Sequence, residues 1–233
     1  MRPAIQAVVF DLDDTLYAER DYVRDGYRAA ACHLRKALGR DEPFEDWLWQ
    51  RFQAGQAGGA FDALNEHFGL GLDAGAIAAL VGAYRGHLPD IRPWPGAVEV
   101  LSRLRRRCRL GVLSDGFLPA QRLKLDALKI APMLDAAVMT EEMGRQCWKP
   151  APDGFVAIGA MLGVPGEACA YVADNPAKDF LAPNRLGWLS VQLLCPGQIH
   201  SANPAPNGGQ PRIVIASLDE LEAALFGEEG NRS

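Results

Sequence analysis

Short apolar runs rich in β-branched residues recur along most of the chain and alternate with helix-length amphipathic segments. Continuous apolar runs of this length are typical of strands that are buried on both faces, so the pattern predicts a parallel sheet covered by helices. The predicted strands are Ala7–Phe10, 110–113, 137–139, 170–172, 190–194 and Ile213–Ile215. The predicted helices that alternate with them are 96–107, 119–128, 152–162 and 218–226, the last with Ser217 as its N-cap.

Residues 18 to 90 break this alternation, because no convincing strand occurs there. Four helical patterns fill the stretch instead, with glycine or proline at their joints: 21–38, Phe44–Gln53, 61–68 and 74–87. We therefore expect an α/β core formed by residues 1–17 and 91–233, and a helical unit of residues 18–90 inserted directly after the first strand. The proline- and glycine-rich stretch 195–211 is expected to be either a functional or a poorly ordered loop.

Composition places the chain among ordinary globular proteins, with 233 residues, 48% apolar and 23% charged. The net charge of −5 disfavours a dedicated nucleic-acid binder, because phosphate backbones require a basic surface. No apolar stretch reaches the length of a membrane span, and Asp11 interrupts the apolar run near the N-terminus, so we expect no membrane association and no signal peptide. The five cysteines lack CxxC spacing and are expected to be reduced, as in a cytoplasmic protein.

Three carboxylates, those of Asp11, Asp13 and Asp14, follow the first predicted strand. The C-terminal ends of parallel strands form the ligand crevice of an open sheet. Asp11 and Asp13 are two residues apart, so an extended backbone would direct both to one face, where they repel each other unless a cation such as Mg²⁺ lies between them. Taken alone, the triplet is also compatible with a solvated turn.

Two further polar groups follow predicted strands. Ser114, Asp115 and Gly116 come after the second strand, where a hydroxyl and free N–H groups in front of a helix either cradle a phosphate or simply cap the helix. Lys149 precedes Pro150, which keeps its backbone extended, and its ammonium group either reaches a phosphate or lies on the surface.

Asp174 ends the fourth predicted strand, and Asp179 follows five residues later; these two either complete a metal site with Asp11 or cap and decorate a helix. In this combination and order, Asp-x-Asp, Ser, Lys and Asp-x4-Asp, the sequence resembles the haloacid-dehalogenase-like hydrolase superfamily. The motifs extend from residue 11 to residue 179, and the fold that the resemblance implies would cover essentially the whole chain.

The resemblance implies a Rossmann-like three-layer α/β/α core with a parallel sheet, and a four-helix cap inserted after the first motif. It implies a Mg²⁺-dependent phosphatase that acts on a small phosphorylated metabolite. Asp11 would be the nucleophile that forms an aspartyl-phosphate, and Asp13 would be the general acid and base. Ser114 and Lys149 would hold the phosphoryl oxygens, with Asp115 and Gly116 beside them.

The implied metal ligands are the side chain of Asp11, the backbone carbonyl of Asp13 and the side chain of Asp174, with Asp179 in support. The dehalogenase branch of the superfamily lacks the second aspartate and uses no metal, so the presence of Asp13 favours phosphate chemistry. Asp115 departs from the asparagine common at this position and puts an anion close to the phosphate subsite.

Substrate contacts beyond the motifs are expected near the cap, with Tyr17 and Arg24 as candidates. Arg20, Arg24 and Arg28 share one helix face, which meets either an anionic substrate or solvent. Three alternatives to a phosphatase stay open at this point: a phosphomutase, a non-catalytic phospho-acceptor and a binding protein without activity. We expect a monomer or a homodimer.

Overall fold

The computed structural model describes residues 3–227 and contains a six-stranded sheet. The strands are β1 (Ala7–Phe10), β2 (Arg109–Ser114), β3 (Ala136–Met139), β4 (Cys169–Ala173), β5 (Leu189–Leu193) and β6 (Ile213–Ile215). All neighbouring pairs are parallel, and their order across the sheet is β3-β2-β1-β4-β5-β6. The predicted parallel sheet and Rossmann-like α/β fold are therefore confirmed.

Four helices lie between β1 and β2 before the first core helix: α1 (Glu19–Leu38), α2 (Phe44–Gln53), α3 (Ala60–Phe68) and α4 (Ala74–Gly86). The helices that follow are α5 (Ala97–Leu104), α6 (Ala120–Leu128), α7 (Asp153–Leu162), α8 (Leu181–Arg185) and α9 (Leu221–Phe226). Among the helices of residues 3–227, none combines the length and the apolar character that crossing a bilayer requires.

The central strand β1 explains why the sheet is covered on both faces. All four of its residues are buried, and alternate side chains enter different hydrophobic clusters: Val8 and Phe10 join one, Ala7 and Val9 the other. Because successive side chains of a strand point to opposite faces, a run without polar residues needs a layer on each side. The sequence pattern dictates the three layers in this way.

The register brings the ends of the central strands together. Phe10, the last residue of β1, lies between Val112 of β2 and Val172 of β4, so the residues that follow these three strands emerge at one edge. The motif residues identified in the sequence stand at this edge.

Helices α1–α4 pack around their own hydrophobic cluster, which includes Tyr27, Phe44 and Leu64. The two chain segments that connect these helices to the sheet lie side by side, since the backbone N–H of Trp94 donates to the carbonyl of Leu16 at 2.9 Å. The helical unit therefore stands directly above the end of β1.

One local expectation is corrected, and one short helix was missed. Ser217 makes no side-chain capping bond, and a 3-10 turn over 218–220 precedes α9. Helix α8 was not predicted, because its five residues are too few to show a period and include Pro183.

Candidate active site

Lys149 joins two of the predicted motifs inside the protein. Its Nζ lies 3.0 Å from Oδ1 of Asp11 and 2.8 Å from Oδ1 of Asp179, and it donates to the hydroxyl of Tyr171 at 2.9 Å. All four residues are buried. Asp11 is 138 positions from Lys149 in the chain, and Asp179 is 30 positions away. They meet because all three residues follow strands whose C-terminal ends lie at one edge of the sheet.

Burial and charge act against each other in this group. Burial raises the pKa of Asp11, and the ammonium group of Lys149 opposes that rise. For Lys149, burial favours the neutral form, but the carboxylates of Asp11 and Asp179 outweigh it and hold the pKa well above its usual range. Lys149 is therefore a permanent buried cation beside Asp11.

Three carboxylates form a site suited to a cation. One oxygen each from Asp11, Asp174 and Asp179 lies within 4.8 Å of the others, and all three residues are buried. Oδ2 of Asp174 has no hydrogen-bond partner among the described residues. Burial, followed by the charges of Asp179 and Asp11, raises the pKa of Asp174 to about 9. A buried set of carboxylate oxygens, with Oδ2 of Asp174 unpartnered among the described residues, fits a hard divalent ion such as Mg²⁺.

The carboxylate of Asp13 points away from this cluster. It accepts hydrogen bonds from the hydroxyl of Tyr17, from Nε2 of Gln121 at 2.9 Å and from Nζ of Lys124 at 2.7 Å. Burial raises the pKa of Asp13, but the positive charge of Lys124 and the three hydrogen bonds together outweigh burial. The pKa of Asp13 is therefore below the ordinary value. Asp13 is thus held as an oriented carboxylate.

Tyr17 does not occupy the position expected of a substrate contact. Its side chain is fully buried, and its hydroxyl donates to Asp13 instead of reaching the cavity described below. The candidate role of Tyr17 in substrate binding is therefore corrected. Its backbone bridges to Asp13 and to Pro93, which encloses the side chain, and its hydroxyl orients the carboxylate of Asp13.

Ser114 and Gly116 stand at the end of β2, as expected. The hydroxyl of Ser114 accepts a hydrogen bond from Nε2 of Gln121 at 2.7 Å. Gly116 has a φ of 136°, and a Cβ at this position would lie 2.8 Å from Cδ of Gln121. Both the backbone conformation and the close approach of Gln121 therefore require glycine here.

The carboxylate of Asp115 is already engaged by the protein. It accepts hydrogen bonds from Oγ1 of Thr140 at 2.7 Å and from the backbone N–H of Lys149 at 3.1 Å, and Nζ of Lys178 lies 3.9 Å away. The side chain therefore connects the end of β2 to the segment that carries Lys149. The negative oxygens are directed to these donors, and contact of Asp115 with a phosphate stays a prediction.

A cavity of about 720 Å³ lies between this edge of the sheet and helices α1–α4. Its floor is polar, and its far wall is built from apolar residues of the helical unit. The floor includes Asp13, Asp115, Gly116, Lys149 and Lys178. The position and the two-sided lining make it the binding space of the site.

Arg24 does not reach this cavity, which corrects its candidate role in substrate binding. Its guanidinium lies 5.3 Å from the ring centre of Trp49 on an exposed surface, beside that of Arg20 at 5.7 Å. Arg28 pairs with Asp25 on the same helix. The shared face that the spacing indicated is real, but it meets solvent and Trp49.

Four residues at the site were missed: Gln121, Lys124, Tyr171 and Lys178. Gln121 and Lys124 are polar residues on the buried face of α6, next to Ala120 and Leu125. Polar residues on the inner face of an amphipathic helix are uncommon and would have signalled a partner for them. Tyr171 lies within a fully buried strand, where a hydroxyl also needs a partner.

The loop 195–211 is tied to the first motif. Nε2 of Gln198 donates to the backbone carbonyl of Asp14 at 2.7 Å, and the N–H of Ile199 donates to its carboxylate at 2.6 Å. The N–H of Glu19 donates to the other carboxylate oxygen at 2.8 Å. Asp14 has a φ of 52°, so these bonds stabilise an uncommon conformation, and Ile199 and His200 extend the cavity wall.

Comparisons with known proteins agree with this geometry. A family model described as haloacid dehalogenase-like hydrolase matches residues 5–187. A glyceraldehyde 3-phosphate phosphatase from Methanopyrus kandleri is 30% identical over 225 residues, covering 93% of this chain and 95% of that protein. A phosphoserine phosphatase from Thermus thermophilus is 28% identical over 257 residues, covering 93% and 98%. The HAD-hydrolase YfnB from Bacillus subtilis, solved bound to magnesium, superposes with a TM-score of 0.67 at 19% identity, over 96% and 100% of the chains.

Proposed function

Because the chain belongs to the haloacid dehalogenase-like hydrolase family, we propose that it is a Mg²⁺-dependent phosphatase acting through an aspartyl-phosphate on Asp11. Its full-length relatives are phosphatases, and the chain is an enzyme of their reaction class, a phosphoric monoester hydrolase. The substrate is a small phosphorylated metabolite. The finer proposal rests on one observation: the carboxylate of Asp11 contacts Lys149 within a buried three-carboxylate cluster beside the cavity.

The first chemical step uses Asp11 as the nucleophile. Its carboxylate oxygen attacks the phosphorus, the bond to the ester oxygen breaks, and that oxygen leaves as an alcohol with a proton from Asp13. Asp13, ionised in the free enzyme, takes up this proton when the anionic phosphoryl group binds beside it and raises its pKa. In the second step water attacks the aspartyl-phosphate, Asp13 takes a proton from that water, and inorganic phosphate and Asp11 are regenerated. The two steps together consume one water and return Asp13 to its starting protonation state.

Lys149 and Ser114 hold the phosphoryl oxygens in this scheme. Lys149 is already charged and already 3.0 Å from the nucleophile, so it needs no rearrangement to stabilise the charge that develops. Its bond to Tyr171, whose hydroxyl donates to the carbonyl of Leu113 at 3.3 Å, fixes the direction of the ammonium group. Preorganisation of this kind is the largest contribution that the protein makes to phosphoryl transfer.

The residues that would hold Mg²⁺ are Asp11, Asp174 and Asp179 through their side chains, and Asp13 through its backbone carbonyl. When bound, the ion reduces the repulsion between an anionic carboxylate and an anionic phosphoryl group. We also propose that residues 18–90 act as the cap over a core formed by residues 1–17 and 91–233, since the cavity lies between these two parts.

The test is a phosphate-release screen over many phosphate monoesters, with Mg²⁺ or with EDTA. We expect release from some esters with Mg²⁺, little in EDTA, and at most background release from Asp11→Asn, which keeps the shape of the nucleophile but not its charge. Asp126→Asn, which removes an exposed carboxylate on α6, is the matched control and should retain activity.

Three results would contradict the proposal. Release no greater than that of Asp11→Asn for every ester would remove the phosphatase assignment. Conversion of a substrate to an isomer without free phosphate would indicate a phosphomutase. A phosphorylated enzyme that persists for hours would indicate a phospho-acceptor.

A further inference from the structure

The cavity has two chemically different ends. Next to the polar floor, helices α1–α4 contribute five aromatic rings to its lining, here called the aromatic chamber: Tyr22, Tyr27, Phe52, Phe61 and Tyr84. Ring centres within the chamber are 5.6 to 6.4 Å apart, and most pairs meet edge to face. Ile77 and Val81 of α4 line the same wall.

The chamber is held open by the fold. Tyr84 packs against Gly26, where a Cβ would lie only 2.6 Å from Cε2 of its ring, so the glycine lets the ring retreat towards α1. The cavity as a whole has a volume of about 720 Å³. A three-carbon phosphate ester would fill the polar floor and leave the aromatic walls in contact with water.

The direction of a bound ester follows from the floor. Lys149 is buried between Asp11 and Asp179, which closes the side of the sheet. A phosphoryl group at Lys149 therefore points its ester oxygen, and whatever that oxygen carries, towards the cap helices. Lys124 marks the passage, since its Nζ lies 2.7 Å from Asp13 and 4.0 Å from the ring centre of Tyr22.

We infer that the substrates of this enzyme are phosphate monoesters whose carbon skeleton carries a flat apolar group, such as an aromatic ring, which binds in the aromatic chamber. This inference rests on the proposed phosphatase function and specifies its substrate class. Such a group removes its own apolar surface and that of the chamber from water, and aromatic rings favour the edge-to-face contacts that these walls offer.

The experiment compares 2-phenylethyl phosphate with ethyl phosphate on the unmodified enzyme with Mg²⁺. Both are primary alkyl esters, so their leaving groups differ little in reactivity and the comparison reports binding of the ring. We expect kcat/KM to be about 10- to 100-fold higher for 2-phenylethyl phosphate, because its ring buries about as much apolar surface as a phenylalanine side chain.

A steric variant tests where the ring binds. Val81→Trp fills the chamber from α4 and should cancel the preference for 2-phenylethyl phosphate over ethyl phosphate. Ala78→Trp, at an exposed position of the same helix outside the cavity lining, is the matched control and should keep the preference.

The outcomes separate the two proposals. Equal kcat/KM for the two esters, or a preference that survives Val81→Trp in a folded variant, would overturn the inference and leave the phosphatase function standing. If Val81→Trp does not fold, the comparison on the unmodified enzyme still decides. If neither ester nor any other in the screen releases phosphate, the proposed function fails and the inference fails with it.

Discussion

Replacing Asp174 with asparagine should stabilise the metal-free enzyme and at the same time remove its response to magnesium. The carboxyl of Asp174 is buried, with one oxygen unpartnered among the described residues, and burial together with Asp179 and Asp11 raises its pKa to about 9. An acid with a raised pKa in the folded state binds more protons folded than unfolded. The free energy of unfolding therefore falls as pH rises above the ordinary value of 3.8.

The size of the stability change follows from the interval between the two pKa values of Asp174, 3.8 and about 9. Each pH unit between 3.8 and about 9 removes about 1.4 kcal/mol of stability, because the carboxyl ionises in the unfolded chain and stays protonated in the folded one. Between pH 4 and pH 7 the loss reaches about 4 kcal/mol. Asparagine has nearly the same shape and no charge to bury. In EDTA at pH 7 we expect Asp174→Asn to be more stable than the unmodified enzyme by about 2 to 4 kcal/mol, with the difference vanishing near pH 4 and growing towards pH 9.

Magnesium should act in the opposite direction. A ligand at 100 times its Kd adds about 2.7 kcal/mol to the unmodified enzyme, whereas the variant has lost one of three carboxylates and should gain little. Urea unfolding at pH 5 to 9, in EDTA and in saturating Mg²⁺, measures both effects, and the exposed Asp126→Asn is the control. Parallel pH slopes for the two proteins in EDTA, or equal stabilisation of both by Mg²⁺, would refute this account of the cluster.

Two other substitutions test contacts around the cavity. Lys124→Met removes the cation 2.7 Å from Asp13, so the pKa of Asp13 should rise, and the basic limb of the pH profile of kcat/KM, which reports loss of the proton that Asp13 donates, should move up by about one pH unit or more. Gly26→Ala places a Cβ 2.6 Å from the ring of Tyr84 and should lower the free energy of unfolding by about 1 to 3 kcal/mol, measured in urea. Gly82→Ala, a helical position with open space around it, should instead raise it by about 0.4 to 1 kcal/mol.

Two results would contradict these predictions for Lys124 and Gly26. A pH profile that Lys124→Met leaves unchanged would mean that the ion pair does not set the protonation of Asp13. If Gly26→Ala proves as stable as Gly82→Ala, the ring of Tyr84 has room to move, and the packing of α4 on α1 is looser than these distances indicate.

The strands were predictable because burial on both faces forces unbroken apolar runs, which the sequence displays directly. Helix α8 was not, because five residues cannot show a helical period. Ser217 has the residue type of an N-cap, but a 3-10 turn intervenes, and residue type alone does not distinguish the two. Local patterns therefore determined the elements that bury much surface and failed at short segments set by packing.

The site shows the same division. Asp11 and Asp174 were identifiable because each lies next to a strand end, and strand ends of a parallel sheet share an edge. Lys124 lies in the middle of a helix, and its partner Asp13 is 111 residues away, so only the tertiary packing reveals the pair. Arg24 shows a different limit of the sequence. The four-residue spacing correctly placed Arg20, Arg24 and Arg28 on one helix face, but it could not indicate whether that face contacts substrate or solvent.

The balance of buried charge favours the proposed divalent ion. Four carboxylates converge on two ammonium groups at this edge: Asp11, Asp115, Asp174 and Asp179 around Lys149 and Lys178. With every group ionised the cluster would carry a charge of −2, which a buried site does not sustain. The metal-free protein relieves the excess by keeping a proton on Asp174, as its raised pKa requires at neutral pH. One Mg²⁺ would balance the same charge and displace that proton, so ion binding should release a proton and tighten as pH rises from 7 towards 9.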